Sequence, residues 1–380
     1  MYIQRLNDIQ EIIDMKNDYY HKHHIMPLNF SNWTVSDQFR HTIEHKLRIS
    51  YEPSAVDYMY SYSIPEEVHK QVQTKLGVSQ NTLSNTSSIF FPNNTIAIVN
   101  ICVYLKKQGI QEVAILEPAY FSICKCLETF GINCISYSII RSNGNYSIDE
   151  DLLDNNINVL WITSPIFSTG CYYSIGALKV IEKLLEKGVL IIADESFCTS
   201  GNELVRKFAE SPNFIAIYSP HKSLSINALK FSVMICNNKL KDFFEQWLDL
   251  YCGNLQQSTL SAIYHFLSDN FNMCFKAFND FISVAREESF RIINSYPAIK
   301  TDPDSVGSMF TLYFPSKSFE KTQTLPYIKN VMENTLALYY PGCLNGFSSN
   351  MGFCFRVNCA LFDIDYIATL NRLLCYIDNH

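Results

Sequence analysis

At 380 residues, 47% of them hydrophobic and 18% charged, the chain is long enough for one large core with a smaller appended domain. Thirty basic and 37 acidic residues leave a formal charge of −7 without any concentrated basic run, which argues against nucleic acid as a partner. No stretch approaches the roughly 18 apolar residues that span a bilayer, and the thirteen cysteines are an odd count with no paired CxxC spacing. A soluble protein of the reducing cytoplasm, with free thiols, is the expectation.

In chain order, MYIQRLNDIQEIIDMKNDYY lacks the uninterrupted apolar segment of a secretory leader. His21, His23 and His24 cluster without a cysteine or acidic set to complete a metal site, so they read as an exposed loop and no metal is expected. From about residue 87 to 236, short β-branched runs alternate with helical patterns, the form of a parallel sheet with crossover helices. The runs are Val113–Leu116, Cys134–Ile139, Asn158–Thr163, Val189–Ala193, Phe214–Tyr218 and Phe231–Cys236. Cys124 and Cys126 fall in a predicted helix two positions apart, which puts them on different faces and argues against a redox pair. SIGALKVIEKLLEKG predicts a helix that Ser174 caps and Gly188 stops. Beyond Cys236 the pattern turns helical, with Phe244, Trp247, Leu248 and Tyr251 at i, i+3, i+4 and i+7, then a longer helix over about 272–296. The remainder mixes strands at Met309–Phe314 and Phe353–Asn358 with helices near Leu325–Glu333 and Asp363–Ile377. The expected class is α/β: a three-layer αβα large domain with a mostly parallel sheet over 45–285, packed against a smaller α+β domain formed by 1–44 and 286–380.

Three features fall at the carboxyl ends of predicted strands, where open α/β sheets bind ligands. They are Asp194-Glu195 after VLIIA, Ser219-Pro-His-Lys222, and Ser164-Pro165 through Thr169-Gly170. A lysine that reaches an aldehyde, an aspartate that meets a ring nitrogen, and amide or hydroxyl donors for a phosphate are the needs of pyridoxal 5′-phosphate. A lone lysine after a strand is usually a solvated surface residue; the joint pattern sets Lys222 apart. His221 beside it either touches the cofactor or shapes the turn.

The order and spacing of these segments resemble the fold type I aminotransferases of class I/II from about residue 50 to 360. YSPHKSLSINALKFS resembles the block whose lysine forms the Schiff base and is followed eight positions on by a basic residue, here Lys222 and Lys230, with Ser219 ahead of them. VLIIADESF resembles the strand ending in the pyridine-binding aspartate, which implies that role for Asp194. EPAY points to Tyr120 as the ring that stacks on the cofactor. FFPNNTIAIVN resembles the turn that holds the phosphate, implying Asn93, Asn94 and Thr95, although such a turn is also an ordinary helix cap. FCFRVNCA resembles the strand whose arginine forks onto a substrate α-carboxylate, implying Arg356; an edge-strand ion pair is its bland alternative. DYMYSYSIPEEV is similar to the segment that lends a tyrosine hydroxyl across a homodimer interface, with Tyr58 the candidate and Tyr60 and Tyr62 its competitors.

Two positions depart from the family pattern. The asparagine that ordinarily donates to the cofactor's 3′-oxygen is Phe167, and the tyrosine that supplies a second donor is Phe197. Lys230 replaces the commoner arginine and gives up a bidentate fork. Losing both 3′-oxygen donors alters reactivity more than binding. The resemblance therefore implies an aminotransferase of amino-acid metabolism or biosynthesis, working on amino acid and keto acid substrates, with a lyase, decarboxylase or oxidase on the same fold as the alternative. A non-catalytic binding relative is more remote, since it has no need of Lys222, Asp194 and Arg356 together. The substrate side chain is expected to meet the segment Asn29–Trp33, loops near Tyr172 and the partner chain.

Overall fold

The computed structural model describes residues 9–47, 60–142, 144–198, 202–226 and 228–380. At its centre is a seven-stranded sheet in the order Thr86–Phe91, Ser232–Asn237, Phe214–Tyr218, Leu190–Asp194, Val159–Thr163, Glu112–Glu117, Asn133–Ser138. Only Ser232–Asn237 runs antiparallel to its neighbours. Successive strand residues serve opposite faces. Leu160, Ile162, Ile191 and Ala193 join the core on one face, while Val159, Trp161 and Ile192 join the core on the other. Strands buried on both faces read as continuous apolar runs rather than alternating ones, which is why most of this sheet is legible in the sequence.

The strand Thr86–Phe91 falls outside the predicted runs because half of TSSIFF carries hydroxyls. All six of its residues are nevertheless buried, and the hydroxyls find partners: Thr86 Oγ1 donates to Gln73 at 2.9 Å, Ser87 Oγ to Asn238 at 2.6 Å, and Ser88 Oγ meets His69 Nδ1 at 2.8 Å. Buried hydroxyls with partners cost little. The helix Ile175–Glu186 begins as predicted, with Ser174 Oγ accepting from the Ala177 N–H, and Gly188 takes φ +85°. His21 and His23 are exposed, but they close the helix Ile9–His23 rather than lying in a loop; His24 follows it with φ +56°.

The C-terminal part pairs Met309–Phe314 antiparallel with Phe353–Asn358 and covers them with helices Leu325–Thr335 and Ile364–Asn379. The N-terminal segment joins it, since Leu28–Asn29 pairs parallel with Ala337–Leu338. A hairpin, Ile140–Ser142 with Asn145–Ser147, reaches toward the C-terminal part. There Arg141 donates to Asp302 Oδ1 at 2.6 Å and the Tyr146 hydroxyl to Asp302 Oδ2 at 2.6 Å. All thirteen cysteines are free. Among the described residues no helix is long and apolar enough to cross a membrane, and no group of three or more His, Cys, Asp or Glu side chains is placed to hold a metal.

Two features hold the loops that surround the carboxyl ends of the strands. Gly170 has φ +71°, and a Cβ there would lie 2.5 Å from the carbonyl oxygens of Val306 and Met309. Glu195 is fully buried and accepts from the Leu204 and Val205 N–H groups at 2.9 and 3.1 Å, tethering the loop that starts at Asp194 to the helix Glu203–Phe208. Burial pushes the Glu195 carboxyl up to about 7 from its ordinary 4.5, although those donors favour the charged form.

Gly170→Ala is expected to destabilise the protein by about 1–3 kcal/mol or more, seen as a lower urea midpoint at unchanged slope. For Glu195 the folded pKa lies above the unfolded one, so the folded state keeps a proton the unfolded chain releases. Stability from this group is full below about pH 4.5 and is lost as the pH rises through about 7. Urea titrations at several pH values should show that decline, up to about 3 kcal/mol, and Glu195→Gln should flatten it.

Candidate active site

Three neighbouring strands end side by side. Thr163 pairs with Asp194, Asp194 with Ile217, and the chain passes from Tyr218 through Ser219 into the short 3-10 helix Pro220–Leu224 that carries Lys222. The parallel register therefore delivers Thr163, Asp194 and Lys222 to one edge of the sheet. A cavity of about 570 Å³ opens there, within the roughly 300–1,000 Å³ of small-molecule and cofactor sites. Asn93, Asn94, Thr95, Tyr120, Phe167, Asp194, Phe197, Lys222 and Lys230 all line it.

Asp194 is 3% exposed. Its Oδ1 accepts from the Ser196 N–H at 3.0 Å and from the Ser196 hydroxyl, and its Oδ2 accepts from Asn94 Nδ2 at 3.3 Å. Asn93 caps the helix Asn94–Lys107, its side chain accepting from the Ile96 N–H at 3.1 Å. The first turn of that helix, where backbone N–H groups lack intrahelical partners, thus faces the cavity. Lys222 Nζ stands 5.2 Å from the ring centre of Phe197 and 5.8 Å from that of Tyr120. Burial among these rings lowers its pKa, Asp194 pulls it back up, and Lys230 adds to the lowering.

Three expected residues stand apart from the cavity wall or from the description. Ser219 is buried with its hydroxyl bonded to that of Ser232. Arg356 is 4% exposed and lies behind Trp33 and Phe167, its guanidinium donating to the Ser31 carbonyl; burial lowers its pKa to about 9. Tyr58 lies outside the described residues. His221 turns away from the cavity: its Nε2 lies 3.1 Å from His265 Nδ1, and its ring packs on Phe231 and Phe271. Burial and His265 hold its pKa down to about 3, so His221 is a neutral core residue that shapes the turn.

Trp33 is the wall residue that sequence reasoning left without a role. It contacts Phe197 with ring centres 4.1 Å apart and Phe167 at 5.9 Å. Its only signal was its place in a segment expected to border the substrate. Thr163 was missed as well, being read simply as the last residue of a strand.

The donor set fits pyridoxal phosphate. The buried Thr163 hydroxyl on the wall has no hydrogen-bond partner, and such a group ordinarily has one. Lys230 lines the wall together with the first turn of the helix Asn94–Lys107, an arrangement that suits an anionic group.

No family model matches the chain. Among curated proteins it is similar to histidinol-phosphate aminotransferase 2 of Nostoc sp. (23% identical over 192 residues, 46% of this chain and 49% of that one) and to the histidinol-phosphate aminotransferase of Blochmanniella pennsylvanica (24% over 149 residues, 38% and 40%). The chain thus spans about half the length, or less, of the curated relatives it matches. Among solved structures it resembles a single mutant of Thermus thermophilus aspartate aminotransferase (TM-score 0.76, 12% identity, 97% of this chain and 96% of that one). It is also similar to N-succinyldiaminopimelate aminotransferase from Mycobacterium tuberculosis (TM-score 0.74, 14%, 96% of each). Likeness over nearly the whole of both structures shows that the chain has the fold of these aminotransferases, and the strand ends of that fold gather a lysine and an aspartate at one cavity.

Proposed function

We propose that the protein is a pyridoxal-phosphate-dependent aminotransferase taking an amino acid as donor and a keto acid as acceptor. The observation that carries this reading is the meeting of Lys222, Asp194, Tyr120, Lys230 and the Asn93–Thr95 turn around one cavity. When bound, the cofactor supplies an aldehyde for attachment of an amine and a ring that draws electrons from the substrate α-carbon.

The protein's own groups do the rest. The lowered pKa of Lys222 raises the share of neutral amine, the form that attaches a carbonyl and later takes the α-proton. Asp194, with one oxygen held by Ser196 and the other by Asn94, is the partner that keeps a ring nitrogen protonated. Lys230, Thr95 and the first turn of the helix Asn94–Lys107 hold the phosphate, and Tyr120 stacks on the ring. Arg356 receives the substrate α-carboxylate. Among the described residues no carboxylate pairs with this buried cation, so an incoming anion answers an electrostatic need. We assign residues 45–285 to a cofactor-binding domain and 1–44 with 286–380 to the smaller one. The working form is a cytoplasmic homodimer that shares the Tyr58 region.

Phe167 and Phe197 favour one second reading. Their rings line the cavity without any donor for the cofactor's 3′-oxygen, so a lyase, decarboxylase or oxidase could use the same residues.

Lys222→Ala is expected to remove the visible absorbance of the bound cofactor and to cut turnover by about 10²–10⁴-fold or more; a variant as active as the parent would refute the assignment. Mixing the holoenzyme with single amino acids and no acceptor separates the two readings. Conversion of the visible band to the pyridoxamine form identifies a transaminase. Release of ammonia or carbon dioxide without that conversion identifies the second reading.

A further inference from the structure

The turn that carries Lys222 is tied to a pair of buried histidines. His221 is fully buried, and its Nε2 lies 3.1 Å from Nδ1 of His265 on the helix Gln257–Leu267. The other nitrogen of His265, Nε2, lies 3.3 Å from the Lys46 carbonyl oxygen. A carbonyl oxygen accepts and does not donate, so His265 carries a proton on Nε2. Nδ1 of a neutral His265 is then a bare acceptor, and the N–H in the contact belongs to His221 Nε2. His221 Nδ1 has no hydrogen-bond partner; in this arrangement it presents a lone pair and not an orphaned N–H. Both rings are kept neutral. Burial and His265 hold the pKa of His221 down to about 3. Burial lowers that of His265 as well, against the pull of the Lys46 carbonyl, and the Lys75 cation adds to the lowering.

His265 is fixed by a joint between two helices. Its carbonyl accepts from the Ser268 N–H at 3.0 Å and from the Ser268 hydroxyl at 2.7 Å. The same Ser268 caps the helix Asp269–Ile293, whose first turn carries Phe271. The Phe271 ring packs edge-on against both imidazoles, with centres 5.5 Å from His221 and 5.8 Å from His265. His221 in turn is built into the Lys222 turn: its carbonyl accepts from the Ile226 N–H at 3.0 Å, and the Lys222 N–H donates to the Ser219 carbonyl at 3.0 Å. A shift of the His221 ring is therefore passed to the main chain of Lys222.

We propose that His265 is a positioning residue for Lys222: by accepting the Nε2–H of His221 it fixes one tautomer and one ring orientation of that imidazole, and so holds the lysine in place at the cavity. The proposal rests on the reading of Lys222 as the residue that attaches the cofactor. Apolar packing has no direction, whereas a hydrogen bond aligns its donor and acceptor, so an apolar side chain in place of either histidine fills the space without orienting the turn. Neutrality matters too, since a charged imidazole would set a second cation beside the buried amine.

Nitrogen NMR of the holoenzyme, isotopically labelled at histidine, reads the arrangement directly, with the two rings assigned from His221→Gln and His265→Asn. Both rings should be neutral and protonated on Nε2 near neutral pH; a charged ring, or a proton on Nδ1 of either, overturns the proposal. Positioning is read from the rate at which the apoprotein takes up pyridoxal phosphate, followed by visible absorbance. His265→Leu removes the acceptor and should slow uptake by up to about a hundredfold, the cost of misplacing a reacting group by about 1 Å. His265→Asn puts an amide oxygen where Nδ1 stood, and His221→Gln an amide N–H where Nε2 stood, so both should recover most of the rate. A merely structural role reverses that order, because leucine suits the apolar surroundings better than asparagine. A folded His265→Leu protein with the parent's rate, or His265→Asn no faster than His265→Leu, overturns the proposal; if His265→Leu does not fold, the NMR of the parent decides. Lys222→Ala tests the reading beneath it: visible cofactor absorbance that survives this change removes Lys222 as the attachment residue, whatever the histidine variants do.

Discussion

A carboxylate buried at the end of a strand that is apolar on both faces needs hydrogen-bond donors, and Asp194 finds them in two directions. Its own loop supplies the Ser196 N–H and hydroxyl, and the start of the helix Asn94–Lys107 supplies the Asn94 amide. The second of these bonds joins positions one hundred residues apart in sequence and fixes the helix N-terminus relative to the sheet edge. The backbone register of Asp194 with Thr163 on one side and Ile217 on the other brings Thr163 and the Lys222 turn to the same edge as this carboxylate. The cavity is the space these placements leave between them.

Lys222 and Lys230 share the wall of the cavity with Asp194, and the rings of Phe197 and Tyr120 stand beside Lys222. An ammonium is disfavoured there, and the lowered pKa of Lys222 expresses it. Phe167 and Phe197 present only ring carbons to this space. They add to the apolar surroundings whose burial lowers the pKa of Lys222.

Most of the sheet and the site could be read from the chain because the signals are local. Runs such as LWIT and FIAIY announce buried strands, and the residue after such a run is at the ligand-binding edge, which is how Asp194 and Lys222 stand out. Three things escaped for physical reasons. TSSIFF hides a buried strand because partners on distant segments, Gln73, His69 and Asn238, satisfy its hydroxyls. Ser219 lies where the pattern puts it, but the orientation of its hydroxyl depends on Ser232 in the neighbouring strand. Arg356 was recognisable as a residue, yet its relation to the cavity depends on Trp33, more than three hundred positions earlier, and no local pattern encodes that packing.

The cover on Arg356 follows from the same accounting of buried charge that governs Asp194, with a different answer. Asp194 meets N–H and O–H donors from its own chain, whereas Arg356 meets one carbonyl and several aromatic faces, and its lowered pKa shows that burial outweighs what they return. A full carboxylate partner from within the chain would relieve that cost but would occupy the site permanently. Bare water would leave the guanidinium solvated and would have to be stripped at each binding event. An aromatic face lies between these: it excludes water and partly compensates the charge. The clasp that Asn358 places on either side of Trp33 fixes the main chain that carries this face.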